Sequence, residues 1–470
     1  MANVNVTIDG KALSVPAGST ILEAARANDI HIPTLCFLKE LDPRASCRMC
    51  VVEVEGARTF QHACAAKVRE GMVVHTDTEA VCASRKLTLE LLLSNHAVDC
   101  HHCLRIGSSK CDDLDPRFCE MCFYCDCVKD GFCDLQALAR EYKVDVLPFT
   151  QKHNTLPIDA SSVIVRNPNK CVKCKRCVDV CGKVQTVHNL AASGRGCEIT
   201  VGPIFGKAMC DSGCIGCGRC VEVCPTGAIF AQEHKDELVY YAHRDGVKTA
   251  AMISTDLLPE LERVLKRENG SVSLSEVAGA LKKIGVDAVF DSDEAENAAR
   301  AKAEAMLDER RQERKPLILT NSYAAKAFLE KTFPEKKDNF LFYDSALAVF
   351  GSATKDYNKR FAFGAVGGDA MECDKTGCVD IVVNPRELAR IMIRTGAEPN
   401  PGRTAACERL GLPKASGKYG KLLDKTGWNM EAEAESIELN GLKCAICRNL
   451  GQARAVLSGD TPYDVIRVIS

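Results

Sequence analysis

The sequence predicts a multidomain protein of mixed α+β and α/β class, and three observations support this prediction. Its 470 residues exceed the ~100–200 residues of a typical domain. The composition, 46% hydrophobic and 26% charged, is that of chains that bury apolar cores. In addition, 23 of the 28 cysteines lie between Cys36 and Cys224, whereas the second half alternates short apolar strands with helical stretches. We therefore expect cysteine-rich α+β domains followed by an α/β domain.

The composition also excludes several classes of function. Lysine and arginine number 61 against 63 aspartates and glutamates, a net charge of −2, so the chain has no overall field that would attract nucleic acid or an anionic membrane. No apolar run approaches the ~18–20 residues of a membrane span, and no charged and then apolar leader opens the chain. We expect a cytoplasmic protein without nucleic-acid or membrane partners. Its reduced, clustered thiols are expected to bind zinc or iron-sulfur clusters.

Residues 1–80 begin with a predicted strand pair. Val4, Val6 and Ile8 alternate with polar residues before an Asp-Gly turn, a pattern typical of a hairpin. Thr20 and Glu23 then form a capping-box signature that predicts a short helix. A long loop with three cysteines follows, and a fourth cysteine lies beyond it. Their spacing is C-x10-C-x2-C-x13-C, at Cys36, Cys47, Cys50 and Cys64.

This order of strands, helix and cysteine loop resembles the plant-type 2Fe-2S ferredoxins, with a longer gap between the first and second cysteines. The longer gap resembles the N-terminal domain of the large peripheral subunit of respiratory complex I and of iron-only hydrogenases. The resemblance implies a β-grasp domain over residues 1–80 that binds one 2Fe-2S cluster through these four cysteines. Four unrelated buried thiols are the alternative. Cys82 has no matching partners and is expected to lie in the core.

A histidine-cysteine motif follows in residues 81–155. A leucine-rich helix is predicted first, and after it His96, Cys100 and Cys103 are spaced H-x3-C-x2-C. This spacing resembles the 4Fe-4S site of the same two families, in which a histidine replaces one cysteine. The fourth ligand of the family precedes a Leu-Gln segment, as Cys133 does here. The resemblance implies a 4Fe-4S domain with these four ligands.

The stretch before Cys133 is longer than in either family and adds further cysteines. His96 and the eight cysteines of this segment make nine possible ligands, so two four-ligand sites would leave one spare. We predict a second centre, either 4Fe-4S or zinc, in the insertion at 104–133. It would be built around Cys119, Cys122 and Cys125, while the division of Cys111, Cys127 and Cys133 between the two sites stays open.

Residues 156–235 contain two runs spaced C-x2-C-x2-C-x3-C. Each resembles the run of bacterial two-cluster ferredoxins, in which the fourth cysteine ligates the other cluster. The resemblance implies two 4Fe-4S clusters, with Cys181 joining the second run and Cys224 joining the first. Cys197 and Cys210 match neither run and are expected to pack in the interior. The runs are Cys171, Cys174, Cys177 and Cys181, then Cys214, Cys217, Cys220 and Cys224.

Residues 236–470 are predicted to form an α/β domain. Short apolar strands, such as those at 288–290 and 317–319, alternate with helical stretches. One helix, at 385–395, is bounded by an Asn384 cap and by Gly396 at its end. No nucleotide-binding or flavin-binding motif is evident in this part of the sequence.

This domain resembles the catalytic domain of the iron-only hydrogenases. Its landmarks are Arg386-Glu-Leu-Ala-Arg, Leu450-Gly-Gln-Ala-Arg and Tyr463-Asp-Val-Ile. The family holds its hydrogen-activating cluster with cysteines in three motifs, Thr-Ser-Cys-Cys-Pro, Met-Pro-Cys and a late Cys-x3-Cys. Here the first position has Asn321-Ser-Tyr, the second has Ala365-Val, and the third would begin just after the last residue. The resemblance therefore implies a domain without the ligands of that cluster.

Four other cysteines of this domain could gather around one replacement cluster. They form a C-x4-C pair and a C-x2-C pair that are distant in sequence, and reduced thiols packed in a core are the alternative. The four are Cys373, Cys378, Cys444 and Cys447.

The predicted function follows from electron counts. Iron-sulfur clusters exchange single electrons whereas a nicotinamide carries a hydride, so a flavin must normally connect them. Because this chain has no evident flavin motif, we predict partner subunits that bind flavin and NAD(P)(H), with ferredoxin or another terminal subunit as the second partner. We expect one 2Fe-2S cluster, at least three 4Fe-4S clusters and no complete catalytic site on this chain.

Hydrogenase-like subunits without the catalytic cluster occur in electron-bifurcating transhydrogenases and in NAD-linked formate dehydrogenase complexes. We predict an electron-relay subunit of the transhydrogenase type. A relay subunit of a formate dehydrogenase complex, or an active hydrogenase with unrecognised ligands, are the alternatives.

Overall fold

The N-terminal part of the chain is a mixed sheet that covers one helix. The computed structural model describes residues 2–97, 127–129, 132–144, 148–149, 156–234, 237–310, 316–363, 368–424, 427–459 and 462–469. The first sheet has the order β2-β1-β5-β3-β4, in which β1 pairs antiparallel with β2 and parallel with β5. Its elements are β1 (Asn3–Ile8), β2 (Lys11–Pro16), α1 (Ile21–Arg26), β3 (Val51–Val54), β4 (Gln61–His62) and β5 (Met72–His75).

The predicted hairpin and helix start are both confirmed. The turn between β1 and β2 has positive φ at Asp9 and Gly10, as a two-residue hairpin turn requires. The Thr20 side chain accepts a hydrogen bond from the Glu23 backbone N–H, while the Glu23 carboxylate accepts one from the Thr20 N–H. This capping box starts α1, whose apolar residues, Ile21 and Leu22 among them, are fully buried against the sheet.

Two helices, α2 (Glu79–Leu93) and α3 (Asp134–Glu141), connect the first sheet to the next part of the chain. Arg85 of α2 is 2% exposed. Its guanidinium donates to the Val51 carbonyl at 2.6 Å and to the Tyr142 hydroxyl at 2.9 Å. A buried cation is costly without such partners, so these bonds fix α2 between the sheet and the end of α3.

The region of the two tandem cysteine runs has near-twofold internal symmetry. Strand β6 pairs antiparallel with β9, and β7 pairs antiparallel with β8. The two short helices α4 and α5 begin at equivalent positions of the two runs, after Lys175 and Gly218, which both have left-handed backbones. The elements are β6 (Ile164–Arg166), α4 (Arg176–Asp179), β7 (Leu190–Ser193), β8 (Thr200–Pro203), α5 (Arg219–Glu222) and β9 (Ile229–Ala231).

The C-terminal half contains two largely parallel sheets, which confirms the predicted α/β class. The helices are α6 (Glu237–Ala242), α7 (Leu258–Val264), α8 (Leu274–Ile284), α9 (Ser292–Arg310), α10 (Tyr323–Thr332), α11 (Ala346–Ala353), α12 (Gly368–Thr376), α13 (Pro385–Thr395), α14 (Gly420–Leu423) and α15 (Leu450–Ser458). The strands are β10 (Thr249–Ile253), β11 (Ala288–Asp291), β12 (Leu317–Thr320), β13 (Phe340–Phe342), β14 (Lys359–Phe363), β15 (Ile381–Val383), β16 (Glu435–Leu439), β17 (Leu442–Cys447) and β18 (Val465–Val468).

One of these sheets has the order β11-β10-β14-β15, and its strands are all parallel. The other has the order β13-β12-β18-β17-β16, with only β16 antiparallel to its neighbour. Helix α13 has the boundaries that the sequence predicts, because the Asn384 side chain accepts from the Glu387 N–H at 2.8 Å and Gly396 ends it in a left-handed conformation. Among the residues that the structure describes, no helix is both long and apolar enough to cross a membrane.

Candidate metal centres

Four N-terminal thiols meet at the edge of the first sheet. Cys36 lies in the loop after α1, Cys47 and Cys50 precede β3, and Cys64 follows β4. The sulfur atoms of Cys50 and Cys64 are 3.3 Å apart, and the Cys36 and Cys47 thiols hydrogen-bond to each other. A negative charge on any of the other three thiols raises the pKa of Cys64, so all three lie near it. The structure therefore brings together all four cysteines of the predicted 2Fe-2S site.

The electrostatics of this group favour thiolates at two positions. The hydrogen bond from Cys47 lowers the pKa of the Cys36 thiol to about 5, and the bond from Cys64 lowers the pKa of Cys50 to about 7. The same hydrogen bonds raise the pKa values of Cys47 and Cys64. Because iron and zinc bind thiolates, a group in which two thiols ionise near neutral pH can bind either metal.

The histidine-cysteine motif is described only in part. His96 is 8% exposed at the end of α2, and its neighbour Ala97 donates its N–H to the Asn169 carbonyl at 2.8 Å, next to the first ferredoxin run. Cys127 and Cys133 are both buried. They lie close enough for a negative charge on Cys127 to raise the pKa of Cys133. The other predicted ligands of this region lie outside the described residues; they are Cys100, Cys103, Cys111, Cys119, Cys122 and Cys125.

The first ferredoxin run gathers with the last cysteine of the second. A negative charge on Cys224 raises the pKa values of three thiols of the first run. These four cysteines line one small cavity. Burial raises the pKa of Cys174 to about 12, so thiolates here need a cation to balance them. The Lys173 N–H donates to the Cys171 sulfur at 3.4 Å. The four cysteines are Cys171, Cys174, Cys177 and Cys224.

The second run gathers with Cys181 in the same way. A negative charge on Cys181 raises the pKa values of Cys214, Cys217 and Cys220. Burial is the largest cause for Cys217, whose pKa is raised to about 12. Cys181 lies in a widened π-type turn that continues α4, and its sulfur accepts the Asn189 N–H at 3.3 Å. This widened turn, typical of functional sites, directs the fourth cysteine of the first run towards the second run.

The four cysteines of the first group surround a small cavity. Within the described ranges, no three His, Cys, Asp or Glu side chains are placed to hold a single metal ion. Zinc needs four donors at ~2.0–2.3 Å from one centre, whereas a cubane cluster places several atoms between its ligands. The donor set of four cysteines per group therefore fits a 4Fe-4S cluster.

An ion pair joins the first centre to the ferredoxin runs. The Arg44 guanidinium lies between Cys36 and Cys47 in sequence and binds both carboxylate oxygens of Asp179, at 2.5 and 2.6 Å. The charge of Cys36 also acts on Arg44. The sequence does not predict this pair, because no local pattern indicates a contact between residues separated by 135 positions.

A cavity of about 480 Å³ occupies the C-terminal domain, where β12 and β13 end and α10 and α11 begin. Thr320, Asn321 and Ser322 line it, and the sequence resemblance predicts the first hydrogenase cysteine motif at these residues. One thiol, Cys378, also lines this cavity. Residues 364–367, where the resemblance predicts the second motif, lie outside the described residues.

The four cysteines considered for a replacement cluster do not come together. Cys444 and Cys447 both lie on β17, where side chains alternate between faces. Cys444 therefore packs in one core, beside Leu317, and Cys447 packs in the core on the opposite face, beside Phe328. The sequence predicts a C-x2-C ligand pair here. Two cysteines with this spacing can bind one metal centre when they lie in a loop or turn, but not when both lie in one strand.

The other two cysteines of that set do form a pair. The sulfur atoms of Cys373 and Cys378 are 3.7 Å apart at the end of α12. The hydrogen bond from Cys373, helped by that from the Thr376 hydroxyl, lowers the pKa of Cys378 to about 6.

Two expectations about isolated cysteines are wrong. Cys82 is only half-buried and its thiol donates to the Asp77 carboxylate at 2.9 Å, so it is not a core residue. Cys210 is exposed and lines a surface cavity beside Cys214, because the loop before the second run stays on the surface.

Comparison with known families and proteins agrees with this architecture. Residues 1–79 match the 2Fe-2S iron-sulfur cluster binding domain, residues 211–230 match the 4Fe-4S binding domain, and residues 247–460 match the C-terminal domain of the iron only hydrogenase large subunit.

Three relatives cover different shares of the chain. The NADP-reducing hydrogenase subunit HndD of Solidesulfovibrio fructosivorans is 32% identical over 84% of this chain and 69% of its own length. Iron hydrogenase 1 of Clostridium pasteurianum is 26% identical over 95% of this chain and 78% of its own. The mitochondrial NADH-ubiquinone oxidoreductase 78 kDa subunit of Candida albicans is 31% identical over 43% of this chain, which spans 25% of that relative.

The fold, the cysteine groups and these matches define an iron-sulfur electron-transfer subunit of the oxidoreductases, related to NAD(P)-linked hydrogenases and to the corresponding iron-sulfur subunits of complex I. The chain belongs to the iron-only hydrogenase large-subunit family.

Proposed function

We propose that this chain is the electron-relay subunit of a flavin-dependent, electron-bifurcating oxidoreductase of the NAD(P)H/ferredoxin transhydrogenase type. It would carry single electrons between a partner subunit that binds flavin and NAD(P)(H) and ferredoxin or another terminal subunit. The observation that carries this proposal is the crossed grouping of the tandem cysteine runs, together with a C-terminal cavity lined by Asn321 and Ser322. On this proposal, the hydroxyl and amide groups of that cavity stand where the hydrogenases have thiolates.

The chain's own residues would hold five centres. The N-terminal cysteines would bind a 2Fe-2S cluster, and the two crossed groups would each bind a 4Fe-4S cluster. His96, Cys100 and Cys103 would hold a further 4Fe-4S cluster together with one cysteine of the insertion at 104–133, for which Cys133 is a candidate. The other cysteines of the insertion would hold an additional 4Fe-4S cluster or zinc. When bound, such clusters supply one-electron transfer at potentials set by their hydrogen bonds and burial.

Several residues would tune these centres. Backbone N–H groups of Lys173, Asn189 and Gly216 donate to cysteine sulfurs at 3.3–3.4 Å. Such bonds stabilise the more negative, reduced state of a cluster and so raise its potential. Burial of the surrounding thiols keeps water from the sulfurs, which has the opposite effect.

The proposed partners follow from the difference between hydride transfer and single-electron transfer. A hydride donor needs a flavin before electrons can pass singly, and HndD is named as a subunit of an NADP-reducing enzyme. We therefore propose a multisubunit complex in the cytoplasm, where a reducing environment keeps these thiols available for metal.

Anaerobic purification of the complex from its own host tests this proposal. We expect the purified complex to be brown and to contain a flavin subunit. It should reduce ferredoxin only while a nicotinamide and a second electron acceptor are turned over as well. Replacing Cys220, a proposed ligand, with serine should abolish this coupled activity, whereas the matched variant Cys210→Ser, of an exposed thiol outside both runs, should retain it. Formate-dependent activity would assign the chain to the formate dehydrogenase class. Hydrogen uptake would support the alternative that the chain is an active hydrogenase.

A further inference from the structure

The C-terminal cavity contains a thiol pair that none of the proposed cluster sites uses. Cys378 is half-buried and lines the cavity. Its sulfur lies 3.7 Å from that of Cys373, which is 8% exposed. One thiol of the pair can therefore meet a molecule in the cavity, while Cys373 does not line this cavity.

The backbone holds the two cysteines in place. Helix α12 ends at Thr376, and Gly377, with φ of +64°, donates its N–H to the Cys373 carbonyl at 2.8 Å. This left-handed residue reverses the chain and brings Cys378 back towards Cys373. On its other side, Cys378 touches α11, because a Cβ added at Gly351 would lie 1.8 Å from the Cys378 carbonyl oxygen. The pair is thus fixed between two helices.

We propose that Cys373 and Cys378 form a redox-active dithiol that exchanges with a small disulfide bound in the cavity. A disulfide bond requires the sulfur atoms to approach to about 2.05 Å, which rotation of the side chains can provide from 3.7 Å. The proposal goes beyond the electron-relay function and does not depend on it.

The exchange balances without any other reactant. The Cys378 thiolate attacks one sulfur of the substrate R–S–S–R, whose S–S bond breaks and releases R–S⁻. Cys373 gives its proton to that leaving thiolate, and its sulfur then attacks the sulfur of Cys378. The mixed disulfide breaks and the second R–S⁻ leaves, taking the proton that Cys378 had lost to solvent. The protein dithiol has lost two electrons, and the substrate has become two thiols.

The size of the cavity indicates the class of substrate. Its volume of about 480 Å³ lies in the range of ~300–1,000 Å³ that is usual for small-molecule sites. A folded protein disulfide could not enter such a space. We therefore assign a low-molecular-weight disulfide, and glutathione disulfide is the probe.

Peptide mapping makes the test direct, because the two cysteines lie on neighbouring tryptic peptides, residues 361–375 and 376–386. The anaerobic holoprotein is equilibrated with glutathione disulfide, quenched in acid, alkylated under denaturing conditions and digested. We expect the two peptides to be recovered joined by a disulfide. In the Cys373→Ser variant, Cys378 should instead carry one stable glutathione adduct. Cys407, a half-buried thiol elsewhere in the domain, serves as the matched control, and Cys407→Ser should leave the cross-link unchanged.

Two results would overturn the proposal. One is recovery of both peptides fully alkylated from the wild-type protein. The other is the same glutathione adduct on Cys378 in the wild-type protein and in Cys373→Ser, since Cys373 would then play no part. A third arm uses an oxidised thioredoxin-type protein. If this protein forms the cross-link and glutathione disulfide does not, the assignment to small disulfides is wrong.

Discussion

Arg44 and Asp179 form a two-point ion pair that ties the 2Fe-2S domain to the ferredoxin region. Both nitrogen–oxygen contacts are short, at 2.5 and 2.6 Å, and the Asp179 side chain is 5% exposed while that of Arg44 is 35% exposed. Arg44 lies between two N-terminal cysteine ligands, and Asp179 lies between Cys177 and Cys181. The pair therefore sets the relative position of two proposed centres, as well as contributing to stability.

Arg44→Gln should destabilise the protein, because it removes the two short contacts to the buried Asp179 carboxylate and leaves it only Lys183, at 3.8 Å, as a cation. We expect a loss of about 1–3 kcal/mol in the free energy of unfolding, measured with denaturant. The Arg44→Gln/Asp179→Asn double variant should recover part of this loss. Arg58, an exposed arginine of the same domain, is the control, and an equal loss in Arg58→Gln would show that the pair is not the cause.

The crossed ligand assignment can be tested by pairing substitutions. If Cys181 shares a centre with Cys217, the Cys181→Ser/Cys217→Ser variant damages one 4Fe-4S site, whereas Cys181→Ser/Cys174→Ser damages two. The first variant should therefore lose roughly half as much iron as the second. The reverse order of iron contents would show that each run binds its own cluster.

Gly216→Ala should disrupt the second ferredoxin centre. Gly216 lies between Cys214 and Cys217 with φ of +71°, and an added Cβ would fall 2.5–2.7 Å from atoms of Met371 on α12. A contact this close forces the cysteine loop to move. We expect the variant to lose iron and the electron paramagnetic resonance signal of one reduced cluster. Gly206→Ala also places alanine at a positive φ but meets nothing within 4 Å, so it should keep its iron. Equal iron in both variants would contradict this explanation.

The capping box at α1 predicts a pH dependence. The backbone hydrogen bond from Thr20 lowers the pKa of Glu23 in the folded protein. The stabilisation by Glu23 is therefore fully present above the ordinary glutamate pKa of about 4.3, and it is lost as the pH falls through the lower value in the folded state. Glu23→Gln should be less stable than the wild type at neutral pH, and the difference in denaturation midpoint should shrink in acid. A constant difference, or the same trend in the exposed control Glu40→Gln, would argue against this role.

The local parts of this structure could be predicted from sequence, because their signals are local. The Thr20–Glu23 capping box and the Asn384 and Gly396 boundaries of α13 depend on residues within one or two turns. The same holds for the cysteine spacing of the ferredoxin runs, where ligands within a run are neighbours on one loop.

Contacts between distant segments could not be predicted in this way. The Arg44–Asp179 pair depends on how two domains meet, and no spacing rule records it. Cys444 and Cys447 looked like a ligand pair only because the sequence did not show that β17 extends through both residues and sends them to opposite faces. The spacing of Cys373 and Cys378 is visible in the sequence, but the role proposed for the pair depends on the cavity that Cys378 lines.

The most direct test of the central claim is a Mössbauer spectrum of the anaerobically purified, iron-isotope-enriched holoprotein. We predict signals of one 2Fe-2S cluster and at least three 4Fe-4S clusters, with no low-spin diiron component. A protein that contains no clusters, or one that shows the low-spin diiron signal of a hydrogen-activating centre, would contradict the account.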